Sequence, residues 1–172
     1  PKGISKGETV WWYENPRPSG DPASDSWTEH FIGTAAAHDV EIGHMNNDNL
    51  IDIVVRGGDT TVFLQNAPDS WSEITVSTRS NEGIALGDID LDSDLDIAIN
   101  GRWLENPLPS GDPAIDPWSE HLIDANWPNR VAVQIAHINS DGRPDIALAP
   151  SETEPDRFSW YEAPTDPKNG VW

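Results

Sequence analysis

The chain has 172 residues and a formal net charge of −20, and although only 36% of its residues are hydrophobic it contains nine tryptophans. So acidic a surface argues against nucleic acids and anionic membranes as partners, and no run of about 18 apolar residues is present that would insert into a membrane. Since the chain has no cysteine, a disulfide framework and thiolate chemistry are excluded.

Short runs of β-branched and aromatic residues follow one another along the chain, and Gly, Pro, Asn and Asp separate them. This pattern is typical of β-strands, and no window keeps the helical period for more than a turn. We therefore predict an all-β fold. The thirteen predicted strands lie, in chain order, at 10–16, 27–32, 40–42, 51–55, 62–66, 71–74, 84–86, 95–99, 102–107, 118–123, 131–135, 145–148 and 158–164.

The strands recur in a fixed order of four, with an acidic loop between the first and the second. The last Asp of this loop is Asp52, then Asp96 after 44 residues, then Asp145 after another 49. Four antiparallel strands at this spacing match the size of one β-propeller blade. The predicted blade parts are 10–33, 34–77, 78–124 and 125–165, with two, four, four and three strands.

The strand count amounts to about three and a quarter blades, whereas a closed propeller needs roughly four or more. Residues 1–172 are therefore predicted to form a single, incomplete propeller segment. Because the sequence begins with Pro1 rather than Met, we expect a processed product or a piece of a longer polypeptide. The propeller is expected to close through the rest of that longer chain or through homo-oligomerisation.

The middle acidic loop has a carboxylate at every second position. Its Asp residues stand at loop positions 1, 3, 5, 7 and 9, namely Asp88, Asp90, Asp92, Asp94 and Asp96. Carboxylates this close repel one another strongly without a cation, and calcium takes about six to eight oxygen ligands. The loop is therefore predicted to bind Ca²⁺ through the side chains at positions 1, 3, 5 and 9, with Asp94 contributing its backbone carbonyl. A solvated acidic turn is the alternative.

This loop and its neighbours resemble a known repeat. An apolar strand ending in Gly, the pattern Asp-x-Asp-x-Asp-x-x-x-Asp-Ile and a downstream Trp-x-Glu-Asn-Pro strand are similar to FG-GAP or VCBS repeats. That family includes the calcium-loop blades of integrin α-chain propellers and many secreted propellers. The resemblance covers roughly residues 10–165. It implies a β-propeller, usually seven-bladed, with Ca²⁺ in the hairpin between the first and second strands of a blade.

The first and third acidic loops depart from the pattern, because His44 and His137 stand at position 1 and imidazole is a poor calcium ligand. Two alternatives to calcium stay open for these loops. One is a hairpin whose Asp and Asn side chains cap backbone N–H groups, and the other is a transition metal held by the single His with carboxylates. The candidate cation ligands are Asn46, Asp48 and Asp52 in the first loop and Asn139, Asp141 and Asp145 in the third.

Aromatic residues recur at two positions of the repeat, which predicts packing between blades. Three further tryptophans, Trp11, Trp127 and Trp172, stand outside the pattern. The recurring residues are Trp12, Phe63, Trp103 and Trp160 in the third strand and Trp27, Trp71 and Trp118 at the fourth.

A ligand site is predicted where the inner strands begin, on the face opposite the acidic loops. His38, Glu82 and Arg130 hold the same place in their blades, so they are expected to gather at one rim of the central channel. Trp127 precedes one of these strands and is expected to stack on a sugar ring. Ordinary loop polarity is the alternative. The chain has no complete catalytic motif.

These features predict a calcium-binding β-propeller repeat module of an extracytoplasmic protein, either secreted, periplasmic or at the cell surface. The module is expected to be a scaffold that binds a carbohydrate or an extracellular protein. Two alternatives stay open. The chain is the propeller part of a carbohydrate-active enzyme of the lyase or dehydratase type, with His38 as the candidate acid or base and Arg130 near its site, or it is a spacer that binds only calcium.

Overall fold

The structure is a computed structural model, and it describes residues 9–79, 82–128, 130–152 and 157–172. The described residues are all-β and contain no helix. They therefore contain no helix that is long and apolar enough to cross a membrane. The strands are β1 (Val10–Glu14), β2 (Thr28–Gly33), β3 (Ala37–Gly43), β4 (Asp52–Gly57), β5 (Thr60–Ala67), β6 (Ser70–Ser77), β7 (Ala85–Gly87), β8 (Asp96–Ile99), β9 (Arg102–Glu105), β10 (Ser119–Leu122), β11 (Val131–Ala136), β12 (Asp145–Pro150) and β13 (Ser159–Tyr161).

The strands form four antiparallel sheets in which neighbours along the chain are neighbours in space. Sheet 1 contains β1 and β2, sheet 2 contains β3 to β6, sheet 3 contains β7 to β10, and sheet 4 contains β11 to β13. The predicted strands and their grouping into two, four, four and three are confirmed. Short connections favour this arrangement, because adjacent antiparallel strands need only a tight turn.

The core lies between consecutive sheets and forms three apolar clusters, one for each pair. Because side chains alternate across a strand, β4 serves two of them. Ile53 and Val55 pack against Val10 and Ile32 of sheet 1, whereas Val54 packs toward sheet 3. Each inner sheet is therefore covered on both faces, which explains why β4 and β8 are buried at nearly every position.

The strand register corrects one predicted equivalence. Leu104 pairs with Ile97 in sheet 3, and Phe63 pairs with Ile53 in sheet 2, so Phe63 corresponds to Leu104 rather than to Trp103. The residue equivalent to Trp103 in sheet 2 is Val62. The prediction was wrong by one residue because an irregularity between Gln65 and Ala67 shifts the sequence against the register.

Trp172 belongs to the recurring set, contrary to the prediction from the sequence. Its indole N–H donates to the carbonyl of Pro167 at 3.2 Å, as Trp27 does to Pro22 at 3.2 Å and Trp118 to Pro113 at 3.3 Å. Each of these tryptophans thus closes a Pro-containing connection. Trp71 holds the equivalent strand position but follows a short turn without that Pro, and its buried indole N–H has no acceptor among the described residues.

Candidate metal centre

The three acidic loops share one hydrogen-bonded frame, centred on the Asp at position 9. This Asp is buried in each loop. One of its carboxylate oxygens accepts from the backbone N–H of loop position 2, and the other accepts from a backbone N–H within the third strand of the sheet or within two residues after that strand. The distances are 2.7 and 2.9 Å for Asp52 (from Met45 and Gln65), 2.9 and 3.0 Å for Asp96 (from Ile89 and Asn106), and 3.0 and 3.0 Å for Asp145 (from Ile138 and Ala163).

Only the middle loop brings its acidic side chains together. Asp88, Asp90 and Asp96 each place a carboxylate oxygen within 4.8 Å of the others, and the described residues contain no other such group of three His, Asp or Glu. Both carboxylate oxygens of Asp94 are buried without a hydrogen-bond partner in the described residues. Buried oxygens left unpaired are costly, so this loop lacks a partner that a cation would supply.

The backbone of the middle loop is also strained. Leu91 has a φ of 65° and Ser93 a φ of 81°, and a left-handed conformation costs roughly 1–2 kcal/mol for a residue other than Gly. The turn points backbone donors at the first carboxylate: Asp92 N–H donates to Asp88 Oδ1 at 3.0 Å, and Ser93 N–H donates to Asp88 Oδ2 at 3.1 Å. Strain of this kind is found at ligand-binding clamps.

The electrostatics of the loop favour a bound positive charge. Burial raises the pKa of Asp96 to about 8, and burial together with the neighbouring Asp92 raises the pKa of Asp94 to about 7. These carboxyl groups ionise at a cost because the charges around them are of the same sign. Their donor atoms are all carboxylate oxygens, which suit a hard divalent cation, the class to which calcium belongs.

The first loop satisfies its polar groups internally. Asp48 N–H donates to Asn46 Oδ1 at 3.1 Å, Asn46 Nδ2 donates to Asp48 Oδ2 at 3.0 Å, and Leu50 N–H donates to Asp48 Oδ1 at 2.8 Å. His44 Nδ1 lies 2.7 Å from the carbonyl oxygen of Leu50. These contacts match the capped hairpin that the sequence left open as an alternative to calcium. Cation binding by Asn46, Asp48 and Asp52 stays a prediction.

The third loop carries its own positive charge. Arg143, at loop position 7, forms an ion pair with Asp141, and its Nε donates to the carbonyl of Ala163 at 2.8 Å. Asn139 and Asp141 exchange the same two hydrogen bonds as Asn46 and Asp48 in the first loop. The guanidinium neutralises the carboxylate nearest to it, so this loop needs a metal less than the middle one. Cation binding by Asn139, Asp141 and Asp145 stays a prediction.

Lys168 reaches the middle loop from the C-terminal segment. Its Nζ forms an ion pair with Asp90 Oδ2 at 2.6 Å and donates to Glu105 Oε1 at 2.5 Å. The two carboxylates raise the pKa of the ammonium group against the opposing effect of burial. Lys168 is thus a built-in counter-ion beside the candidate cation site.

Lys168→Met is expected to tighten divalent-cation binding about fivefold, because it removes a competing positive charge. A partly exposed pair contributes up to about 1 kcal/mol, and 1.4 kcal/mol corresponds to a factor of ten. Isothermal titration calorimetry with calcium measures the change in the dissociation constant. Lys168→Arg keeps the charge and is the control, so an equal gain in both variants would contradict the competition.

The structure brings His38, Glu82 and Arg130 together. Glu82 Oε1 lies 3.4 Å from His38 Nε2 and 3.6 Å from Arg130 Nε, and Ser151 Oγ donates to Glu82 Oε2 at 3.1 Å. The backbones of Glu82 and Arg130 form a parallel bridge between sheets 3 and 4. Cavities of about 340 and 280 Å³ adjoin this rim, and both are lined by His38 and Glu82.

Trp127 does not join this rim. Its ring is buried in the cluster between sheets 3 and 4, its indole N–H donates to Tyr161 Oη at 2.6 Å, and the Arg157 guanidinium lies 4.1 Å above the ring. A buried ring covered in this way has no free face for a sugar. The structure therefore gives Trp127 a packing role in place of the predicted ligand contact.

Lys168, Glu105 and Arg143 were missed by the sequence reasoning. Arg143 stands inside a predicted loop, so its charge at position 7 was a readable signal. Lys168 lies 78 residues after Asp90 in the chain, and no local pattern connects the two.

Comparison with protein-family models, with curated proteins and with solved structures finds no match for this chain.

Proposed function

We propose that this chain is a calcium-binding β-propeller repeat module of an extracytoplasmic protein. The observation that carries the proposal is the middle loop, where Asp88, Asp90 and Asp96 converge within 4.8 Å beside buried carboxylate oxygens of Asp94 that have no hydrogen-bond partner in the described residues. Bound calcium would complete the polar contacts of these oxygens and offset the repulsion between them. The hairpin would then be held rigidly between the first two strands of sheet 3.

The packing of the sheets supports the propeller part of the proposal. Consecutive sheets stack face to face through three apolar clusters, and their first strands β3, β7 and β11 are neighbours in that order. Blades of a propeller are arranged in this way around a central channel. We propose an incomplete segment of an FG-GAP or VCBS type propeller, usually of seven blades, which closes through further chain or through homo-oligomerisation.

An extracytoplasmic location suits this site. Extracellular calcium modules bind with dissociation constants of about 10⁻⁴–10⁻³ M, which matches a loop with a single dense carboxylate cluster. A net charge of −20 also favours cation uptake, since bound calcium lowers the self-repulsion of the folded chain.

Calcium is expected to raise the melting temperature of the chain by about 5–10 °C over its value in EDTA. At a calcium concentration about 100 times the dissociation constant, linkage adds about 2.7 kcal/mol, and each kcal/mol shifts a domain of this size by about 2–4 °C. Differential scanning calorimetry measures the shift. An unchanged melting temperature at saturating calcium would refute the metal site.

The rise in melting temperature caused by calcium is expected to be larger at about pH 9 than at about pH 6. The raised pKa values of Asp94 and Asp96 mean that the metal-free fold binds more protons than the unfolded chain, so it loses stability as pH rises from about 4 through about 8. Calcium binds the ionised carboxylates, and protons compete with it below this range. The same calorimetric melts at the two pH values check this.

We further propose that the rim formed by His38, Glu82 and Arg130 contacts a carbohydrate or an extracellular protein. The rim lies at the end of β4 where the chain passes Gly57 and Gly58, away from the acidic loop that precedes Asp52. Its side chains include both hydrogen-bond donors and acceptors for a polar ligand.

A second candidate function is favoured by the contact between His38 and Glu82, which places an imidazole 3.4 Å from a carboxylate at the edge of a cavity. An imidazole beside a carboxylate is the residue combination of a general acid or base with its orienting partner, whose contact is often longer before a substrate binds. The chain would then be the propeller part of a carbohydrate-active lyase or dehydratase, with Arg130 near the substrate.

His38→Ala separates the two functions. In an enzyme it is expected to reduce turnover of acidic oligosaccharides by at least about 100-fold while leaving the calcium-dependent melting temperature unchanged. In a binding module the same variant alters only affinity on a glycan array. His30→Ala is the matched control, because His30 pairs with Glu14 and Asp69 and belongs neither to the rim nor to an acidic loop.

A further inference from the structure

Two apolar residues of β3 are exposed although the same positions are covered elsewhere in the fold. Val40 is 60% exposed and Ile42 is 65% exposed. Each pairs across the sheet with a core residue, Val40 with Val55 and Ile42 with Ile53, so all four share the face that turns toward sheet 1. The inner half of this face is therefore uncovered among the described residues.

The equivalent residues of the next two sheets are covered by the preceding sheet. Ile84 is buried in the cluster between sheets 2 and 3, where Val54 of β4 and Met45 of the first loop pack. Val133 is buried in the next cluster, where Ala98 of β8 packs. In both cases the cover comes from the second strand of the sheet before, and from the loop that leads into it.

Sheet 1 lacks these inner strands. Its two strands correspond to the third and fourth strands of sheet 3, because Trp12 stacks on His30 at 3.9 Å as Trp103 stacks on His121 at 4.3 Å. The strand β9 is paired on both sides, whereas β1 has a neighbour only on the β2 side in the described part of the chain. Among the described residues, the second backbone edge of β1 therefore has no pairing strand.

No hairpin within the described residues can fill this place without leaving another sheet. The hairpins β3–β4, β7–β8 and β11–β12 are the units with the matching pattern, and each is already paired in sheet 2, 3 or 4. Free strand edges next to apolar surface bind added strands. The occupant must supply small or β-branched residues, such as Val54 and Ala98, at the positions that face β3.

We propose that sheet 1 binds an antiparallel β-hairpin of the same repeat pattern, supplied from outside these 172 residues. The hairpin pairs with the free edge of β1 and covers Val40 and Ile42. The inference rests on the repeat architecture of the proposed function but not on its cation or its ligand. It identifies the partner as a strand pair with the Asp-Ile-Val-Val character of β4.

The probe is a synthetic peptide of residues 38–57, which carries the β3–β4 pattern and contains no tryptophan. We expect saturable binding of one peptide per chain. The binding is detected in EDTA as a change in the tryptophan fluorescence of the full chain. The double variant V40T/I42T of the full chain is expected to bind the unchanged peptide about tenfold more weakly, because it removes apolar surface from the exposed face of β3. Thr is β-branched like Val and Ile, so the strand itself should be kept. The control I115T changes an exposed residue in the connection between β9 and β10 of sheet 3, and this variant should bind the peptide as the parent chain does.

Two results would overturn the proposal. One is no binding, or equal binding of a peptide with the same residues in scrambled order. The other is a mass of two chains by light scattering that V40T/I42T reduces to one, since a second copy would then hold this face. Because all titrations run in EDTA, their failure leaves the calcium-dependent melt as an independent result.

Discussion

Replacing Asp96 with alanine is expected to lower the free energy of unfolding by about 2–4 kcal/mol and to abolish the response to calcium. Asp96 is buried and accepts from the backbone N–H groups of Ile89 and Asn106. Each buried donor left without its acceptor costs about 1–3 kcal/mol, and the relief of repulsion among the remaining carboxylates offsets part of this loss. Urea unfolding with calcium and with EDTA measures both effects.

The matched control is Asp145→Ala in the third loop. Asp145 holds the same two kinds of backbone contact, with Ile138 and Ala163, but its loop gathers no carboxylate cluster. This variant is expected to lose a similar amount of stability in EDTA and to keep the calcium response of the middle loop. A calcium response that survives in Asp96→Ala, or disappears in Asp145→Ala, would mean that the cation binds elsewhere.

Trp103→Ala is expected to cost about 3–5 kcal/mol, the range for truncating a fully buried aromatic residue. Trp103 is completely buried between sheets 3 and 4 and stacks on His121 at 4.3 Å. Its loss opens a cavity between two sheets that have no covalent cross-link. Chemical denaturation at a fixed calcium concentration measures the change.

Trp160→Ala tests whether the position or the neighbouring sheet creates this effect. Trp160 pairs with Ala147 as Trp103 pairs with Ala98, so the two residues are equivalent in register, yet Trp160 is 41% exposed. Because no sheet of the described chain covers it, we expect a smaller loss of about 2–3 kcal/mol, scaled from its smaller buried area. Equal losses in the two variants would argue against sheet-on-sheet packing as the source of stability.

Much of the fold was predictable because its causes are local. Alternation of apolar residues and turn residues at short intervals predicted all thirteen strands and their grouping, and the recurrence of Asp52, Asp96 and Asp145 set the repeat. The structure shows why this Asp recurs, since it ties its loop to the third strand in every copy. The register of β5 escaped prediction because a local irregularity moves a strand by one residue without changing its composition.

The candidate site was predictable only in part. The carboxylate spacing from Asp88 to Asp96 indicated a cation loop, and the equivalent places of His38, Glu82 and Arg130 indicated that they would meet. The predicted ligand contact of Trp127 was wrong because its position outside the repeat pattern suggested an exposed side chain. Its burial depends on Tyr161 and Arg157, which are distant in sequence.

The sequence alone determined the strands, their order of four and the acidic loops, because hydrogen bonding in hairpins and side-chain alternation act over a few residues. The tertiary structure decided which positive charge each loop receives and which oxygens stay without a partner. Arg143 neutralises the third loop and Lys168 reaches Asp90 of the middle loop from a distant segment, while the buried carboxylate oxygens of Asp94 have no hydrogen-bond partner in the described residues. Burial and ion pairing depend on which segments meet in space, and those contacts are made between sheets rather than along the chain.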